Sequence, residues 1–270
     1  MTLEEKYQLL TSMISESGGM LVAFSGGVDS TFLAKVAFDV LGERALAVTA
    51  RAKVHAAFEE QEAVELAREI GIRHLVIDAD PLEAEGFAQN PPQRCYICKS
   101  TILSALLPIA RQEGLATVAE GSNASDTGDY RPGMRAVDDL GAVSPLKEAG
   151  LVKDEIRLLS RRLGLSTWDK PAFACLASRI PYGNIITEDK LRSVDAAEDY
   201  LRARGYRILR VRHHGDVARI ELAPEEMERF MDSADLAEVA RAFKGFGFRY
   251  AALDLEGYRI GSLNEALSSR

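Results

Sequence analysis

The stretch of chain richest in chemistry is residues 21–30, LVAFSGGVDS, in which four apolar residues run into Ser25, Gly26 and Gly27, followed by Asp29 and Ser30. Glycines let a backbone approach an anion closely. The N–H groups at a helix N-terminus favour negative charge, and Ser25 and Ser30 add hydroxyl donors. A phosphate loop of the G-x-x-x-x-G-K-[ST] type would carry a lysine here, and this one does not. With no ammonium to meet a γ-phosphate, transfer of that group is disfavoured. Asp29 tolerates a phosphate only with Mg²⁺ between them, unless it caps the helix. A donor-rich loop beside a metal-friendly acid suits a grip on pyrophosphate as leaving group. That means attack on the α-phosphorus of ATP and transfer of AMP.

A second polar stretch, EGSNASDTGDYRPGMRA, spans residues 120–136. Asp126 and Asp129 are candidates for Mg²⁺ or for turn capping, and Arg131 and Arg135 for phosphate contacts. Three cysteines form a third set. Cys95 and Cys98 make a C-x-x-C at the start of an expected helix, beside Arg94 and Lys99, where thiolates are favoured. They fit a redox pair, half a zinc site, or no chemistry at all. Cys175, in FACLASRIPYG, is by residue type alone either a reactive thiol or a small core residue. Finally, LRVRHH places Arg210 and Arg212 on one face of a strand. Adjacent guanidiniums imply an anion between them, or else surface arginines paired with Glu221 or Glu225.

The elements that must hold these residues alternate. Short apolar strands near residues 20–24, 45–50, 74–79 and 116–120 are separated by helical patterns at residues 30–40, 59–70 and 96–111. That rhythm predicts an α/β domain with a parallel sheet covered on both faces, and ligands then bind beyond the carboxyl ends of the strands. From about residue 166 the texture changes. An ordered loop is followed by a helix near residues 187–204, two alternating strands joined at Gly215-Asp216, more helix, and a last strand in FRYAALDL. The predicted division is residues 1–165 for the nucleotide domain and 166–270 for a smaller α+β module.

The 270 residues are 47% hydrophobic and 27% charged, enough for packed cores and unlike a disordered chain. No apolar run approaches the ~18 residues of a membrane span, and the start resembles no targeting peptide. A cytoplasmic location, with reduced cysteines, is the expectation. The net charge of −8 disfavours a nucleic-acid partner.

SGGVDS matches the SGG-x-D-S signature of the pyrophosphate-loop (PP-loop) ATP pyrophosphatases, which include GMP synthetase, NAD synthetase and tRNA thiolases. Within them, GDYRPG, FACLASRIPYG and the V-R-V-R stretch resemble the LarE-type sulfur transferases, a likeness that covers most of the chain. The resemblance implies ATP and Mg²⁺ at Ser25, Gly26, Gly27, Asp29, Ser30 and Asp126. It implies Cys175 as the sulfur-handling residue, and Ser178, Arg179, Arg210 and Arg212 near the phosphate of a small mononucleotide, pyridinium-3,5-biscarboxylic acid mononucleotide. Glu198 matches an acid that binds a divalent ion in relatives, though a solvated helix face explains it as well. Single-cysteine members give up the cysteine's own sulfur. This chain adds Cys95 and Cys98, so Cys95, Cys98 and Cys175 together could hold a [4Fe–4S] cluster with one iron open to an added sulfide, fed by a sulfide donor that the sequence does not identify. The resemblance also implies a homo-oligomer, with a hexamer among the forms it suggests. The rival expectations are a tRNA 2-thiolation enzyme, an ammonia-using amide synthetase in which the cysteines are spectators, and a nucleotide sensor without turnover.

Overall fold

The structure, a computed structural model, describes residues 1–128, 132–171, 174–233, 236–259 and 261–264. The chain divides into two compact units. One comprises residues 1–52, 57–84 and 93–173; the other comprises 53–56, 85–92 and 174–270.

In the first unit, strands β1 (Met20–Ala23), β2 (Ala45–Arg51), β3 (Arg73–Asp78) and β4 (Thr117–Ala119) form one sheet in the order β3-β2-β1-β4. Every pairing in it is parallel. Helices α1 (Leu3–Glu16), α2 (Val28–Leu41), α3 (Ala57–Ile70), α4 (Arg94–Gln112), α5 (Pro132–Asp139), α6 (Pro145–Glu148) and α7 (Lys153–Arg162) surround it. Strand side chains alternate between faces, so the sheet builds two cores. Met20 and Val22 pack with Phe32 and Val36 of α2, Leu10 of α1 and Ile156 of α7. Leu21, Leu46 and Val48 face the other way, onto Leu103 and Leu106 of α4 and Val137 of α5. The expected two-sided burial holds for β1 and β2. The edge strand β3 is less buried, with Leu75 40% exposed.

Strand order reverses at β1, which lies between β2 and β4. In open α/β sheets that switch point opens a crevice at the strands' carboxyl ends. The segments that leave β1 and β4 there are 24–27 and 120–123, the two polar stretches of the sequence.

The second unit carries α8 (Glu188–Arg202), β5 (Leu209–His214), β6 (Val217–Leu222), α9 (Pro224–Ser233), α10 (Leu236–Gly245) and β7 (Tyr250–Leu253). β5 and β6 form the expected antiparallel hairpin, and β7 joins β6 in parallel. The segment around Cys175 leads into a single short 3-10 turn, Leu176–Arg179. It is fastened by Leu176 N–H to Val54 O at 2.8 Å. Buried Asn90, with a positive φ of 55°, donates to Ile180 O and Pro181 O at 3.1 and 2.8 Å. Among the described residues no helix is long and apolar enough to cross a membrane.

Candidate active site

The loop after β1 owes its shape to a glycine. Gly26 has φ of +66°, and a Cβ there would stand 3.3 Å from the Ala63 Cα on α3. Gly27 then starts α2 with no side-chain cap, and Asp29 falls in the helix's first turn. The first N–H groups of a helix lack intrahelical acceptors, so this turn is left open to an anion. Ser25 Oγ and Ser30 Oγ lie 3.1 Å apart, and Ser30 Oγ also donates to Gly27 O at 3.3 Å. The two hydroxyls therefore brace the loop's two ends against each other.

Asp29 is not the helix cap. Its Oδ2 accepts from Lys153 Nζ at 2.6 Å, while its buried Oδ1 has no hydrogen-bond partner among the described residues. Burial pushes its carboxyl pKa up; Lys153 offsets this in part, and the charge of Asp126 adds to the rise. A half-satisfied carboxylate with a second acid close by is what a divalent cation needs, so Asp29 with Asp126 fits Mg²⁺. Asp126 itself closes a turn, accepting from Asn123 N–H at 3.0 Å. Asp129 and Arg131 lie outside the described residues. Arg135 stands exposed on α5, with its guanidinium 5.5 Å from the Tyr96 ring centre.

The two loops touch. A Cβ on Gly121 would lie 3.0 Å from Ser30 N and 3.3 Å from Asp29 C, both backbone atoms that cannot swing aside. Gly121→Ala is therefore expected to displace the first turn of α2. Overpacking of this kind costs about 1–3 kcal/mol. Titration calorimetry should show weaker ATP binding, with a smaller effect on the melting temperature.

Next to Gly121, Glu120 is a buried hub. Its oxygens accept from Lys99 Nζ at 2.6 Å and from Ser122 Oγ at 2.8 Å, and also from Ser144 Oγ. Burial opposes its charge, but Lys99 and the serine hydroxyls outweigh that and hold its pKa below the ordinary glutamate range. Lys99 lies in the first turns of α4 with the two cysteines. Cys95 is exposed and Cys98 partly exposed, one helical turn apart.

In the second unit the predicted residues meet around buried carboxylates. Arg179, 1% exposed, donates Nε to Glu198 Oε1 at 2.8 Å and Nη2 to Oε2 at 2.9 Å. Its Nη1 serves Cys175 O at 3.0 Å and Ser178 Oγ at 2.9 Å. Arg179 thus holds the backbone of the Cys175 segment. Glu198 is not on a solvated helix face: it is 1% exposed and also accepts from Val211 N–H at 3.0 Å. Arg210 and Arg212 are not surface residues either, being 7% and 6% exposed. Arg212 makes a two-pronged pair with Glu221, at 2.9 and 2.8 Å, and donates to Ser178 O at 2.9 Å. Arg210 stands over the Tyr258 ring, 5.1 Å from its centre. Its pKa is pushed down by burial and then by the charge of Arg179, against the opposing charge of Glu198. An added anion beside Arg210 would relieve both effects.

Cys95 and Cys98 belong to the first unit and Cys175 to the second. Among the described residues no group of three or more His, Cys, Asp or Glu is arranged to hold a metal ion. In LRVRHH, His213 lies against Phe248, ring centres 5.2 Å apart, and His214 is exposed.

Sequence reasoning missed Lys153, and it left Lys170 without a role. Lys170 Nζ donates to Gly26 O at 2.8 Å and pairs with Glu62 at 2.7 Å, so it secures the loop to α3. Neither lysine sits in a motif. Only the fold brings Lys153 to an aspartate 124 positions earlier.

A family profile described as NAD synthase matches residues 2–100. An uncharacterized protein of Synechocystis is 45% identical over 98% of this chain and 99% of its own. The pyridinium-3,5-bisthiocarboxylic acid mononucleotide synthase of Lactiplantibacillus plantarum is 39% identical over 99% of this chain and 96% of its own. A glutamine-hydrolyzing GMP synthase of Aeropyrum pernix is 29% identical over 72% of this chain but only 42% of its own. With a synthase of that type aligned along nearly the whole length of both chains, the protein belongs to the LarE family of pyrophosphate-loop enzymes.

Proposed function

We propose that this protein is an ATP-dependent sulfur transferase. It adenylates a ring carboxylate of pyridinium-3,5-biscarboxylic acid mononucleotide and converts it to a thiocarboxylate, releasing AMP and pyrophosphate, within the synthesis of a nickel-pincer cofactor. The observation that carries this reading is the lysine-free glycine loop at the sheet's switch point, with Asp29 left half-satisfied. Residues 1–165 are assigned the nucleotide chemistry, and 166–270 substrate binding and self-association.

The loop holds the β- and γ-phosphates with the open first turn of α2 and with Ser25 and Ser30. A divalent ion at Asp29 and Asp126 would supply positive charge against the phosphates. A carboxylate oxygen of the substrate attacks the α-phosphorus, the bond to the bridging oxygen breaks, and pyrophosphate leaves with that electron pair. The product is an acyl adenylate, whose AMP is a good leaving group. A sulfur nucleophile then attacks the carbonyl carbon, and AMP departs. Cys175 is assigned the sulfur-handling role. Ser178, Arg210 and Arg212 are assigned to the substrate's phosphate, while Arg179 fixes the Cys175 backbone from behind.

Cys95, Cys98 and Cys175 are further offered as ligands of a [4Fe–4S] cluster, a reading supported by residue type and family resemblance. Iron and acid-labile sulfide assays on anaerobically purified protein test it. Iron and sulfide in equal amounts, near four of each per chain, are the expected result. Iron-free protein that loses the mass of one H₂S at Cys175 per turnover would mean that the cysteine spends its own sulfur.

The test of the overall reaction is an anaerobic incubation of protein, ATP and the biscarboxylate nucleotide, read by mass spectrometry of product and polypeptide. A thiocarboxylate product is expected. An amide product formed with added ammonia would replace this reading.

A further inference from the structure

The loop after β1 has no lysine of its own, yet a lysine reaches it from elsewhere. Lys153 is the first residue of α7. Its Nζ lies 2.6 Å from Asp29 Oδ2, and the two side chains are 30% and 22% exposed. The pair is partly open to water, and the flexible four-carbon stem of a lysine can carry its ammonium from one anion to another.

The backbone that carries Lys153 is, by contrast, firmly placed. Lys153 N–H donates to Ser125 Oγ at 3.0 Å, and Ala124 N–H donates to Leu151 O at 2.8 Å. Both partners belong to the segment that leaves β4. On the far side, Glu155 accepts from Val152 N–H at 3.0 Å and pairs with Lys6 at 2.8 Å. The start of α7 is thus pinned to the second polar stretch, and a flexible cationic stem is aimed at the first.

Two neighbouring lysines are committed differently. Lys170 is only 11% exposed and is bound to Gly26 O and Glu62. Lys99 is held by the buried Glu120. Lys153 alone of these three rests on the carboxylate whose other oxygen is unsatisfied among the described residues.

We propose that Lys153 is the ammonium group that this phosphate loop lacks: it rests on Asp29 in the empty protein and transfers to an oxygen of the β,γ-pyrophosphate when ATP binds. The inference builds on the ATP-using reading above and names the residue that meets the leaving group. No covalent bond is made or broken in the transfer. The ammonium exchanges one carboxylate oxygen for a phosphate oxygen of higher charge density, and Asp29 is freed to face a cation.

The test is equilibrium binding to the full-length protein in magnesium buffer, with ATP and AMP as separate probes and no carboxylate substrate present. AMP lacks the two phosphates that Lys153 is assigned to hold. Lys153→Met is expected to weaken ATP binding by roughly tenfold to a hundredfold, the range for losing a hydrogen bond to a charged group. AMP binding should change by less than about twofold, and Lys153→Arg should restore most of the ATP affinity. Should Lys153→Met fold poorly, Lys153→Gln is read in the same way. An equal loss for both nucleotides, or ATP affinity that is unchanged, overturns the proposal. So does a wild-type protein that binds ATP no more tightly than AMP. Because no sulfur acceptor is present, failure of the sulfur-transfer reading shows up in product analysis and leaves this comparison intact.

Discussion

Replacing Cys175 by alanine is expected to abolish thiocarboxylate formation, by on the order of a thousandfold or more, while pyrophosphate release still proceeds to about one equivalent per site. The two half-reactions use different parts of the chain. Adenylation is assigned to Ser25–Ser30 and its partners in the first unit, whereas Cys175 belongs to the second. The substitution removes only Sγ. The segment's backbone stays tied by Cys175 O to Ser178 N–H at 2.9 Å and to Arg179 Nη1 at 3.0 Å, and by Leu176 N–H to Val54 O. The melting temperature should therefore hardly move. Quenched-flow measurement of pyrophosphate alongside mass spectrometry of the nucleotide product separates the steps. Undiminished product from Cys175→Ala would make the cysteine a spectator and favour an ammonia-using synthetase.

The largest effect on stability is expected at Glu198. This one carboxylate takes two hydrogen bonds from Arg179, one from Arg202 at 2.9 Å and one from Val211 N–H, and it is 1% exposed. Removing one partner of a buried pair leaves the other charge stranded, at about 3–5 kcal/mol. Glu198→Ala should lower Tm by on the order of 10 °C and also loosen the Cys175 segment, since Arg179 would lose its anchor. Glu198→Gln keeps the shape but not the charge, and it should fall between the two.

The same residue sets a pH dependence. Burial alone would raise the Glu198 pKa, but the charge and hydrogen bonds of Arg179, then Arg210 and the Val211 N–H, outweigh burial and leave it lowered. A depressed carboxyl pKa stabilises the fold fully above the unfolded value of about 4.3. That contribution is lost as pH falls through the lower folded value. Thermal melts from pH 7 down to pH 3 should show a steeper acid limb for the wild type than for Glu198→Gln. Parallel curves would contradict the assignment.

The sheet and its loops were legible because local pattern and tertiary role agree. An apolar run that ends in Ser-Gly-Gly reads as a buried parallel strand that turns directly into a helix, and β1 and α2 are that. The hairpin of β5 and β6 was legible from alternation around Gly215-Asp216, and its register sets Arg210 opposite Glu221. The partners of the charged residues were not legible. Glu198 stands in a helix of mostly polar residues, and only the packing of α8 against β5 and the turn Leu176–Arg179 shows that it is buried. Lys153 stands in no motif, and its place at the start of α7 came from the structure. Residues 53–56 and 85–92 join the second unit through bonds such as Gly183 N–H to Asn90 O, between positions far apart in sequence. Periodicity reports which side of an element is apolar, and it carries no information on which distant charge arrives there.

Where ATP is cut decides the account more directly than any substitution. The protein is incubated with the biscarboxylate nucleotide and ATP, and the phosphorus-containing products are resolved by ³¹P NMR. AMP and pyrophosphate in equal amounts, dependent on the carboxylate substrate, are the predicted result. ADP and orthophosphate would contradict it, because an anion cradle that yields those products is transferring the γ-phosphoryl group, and the roles given to Asp29, Lys153 and Cys175 would have no basis.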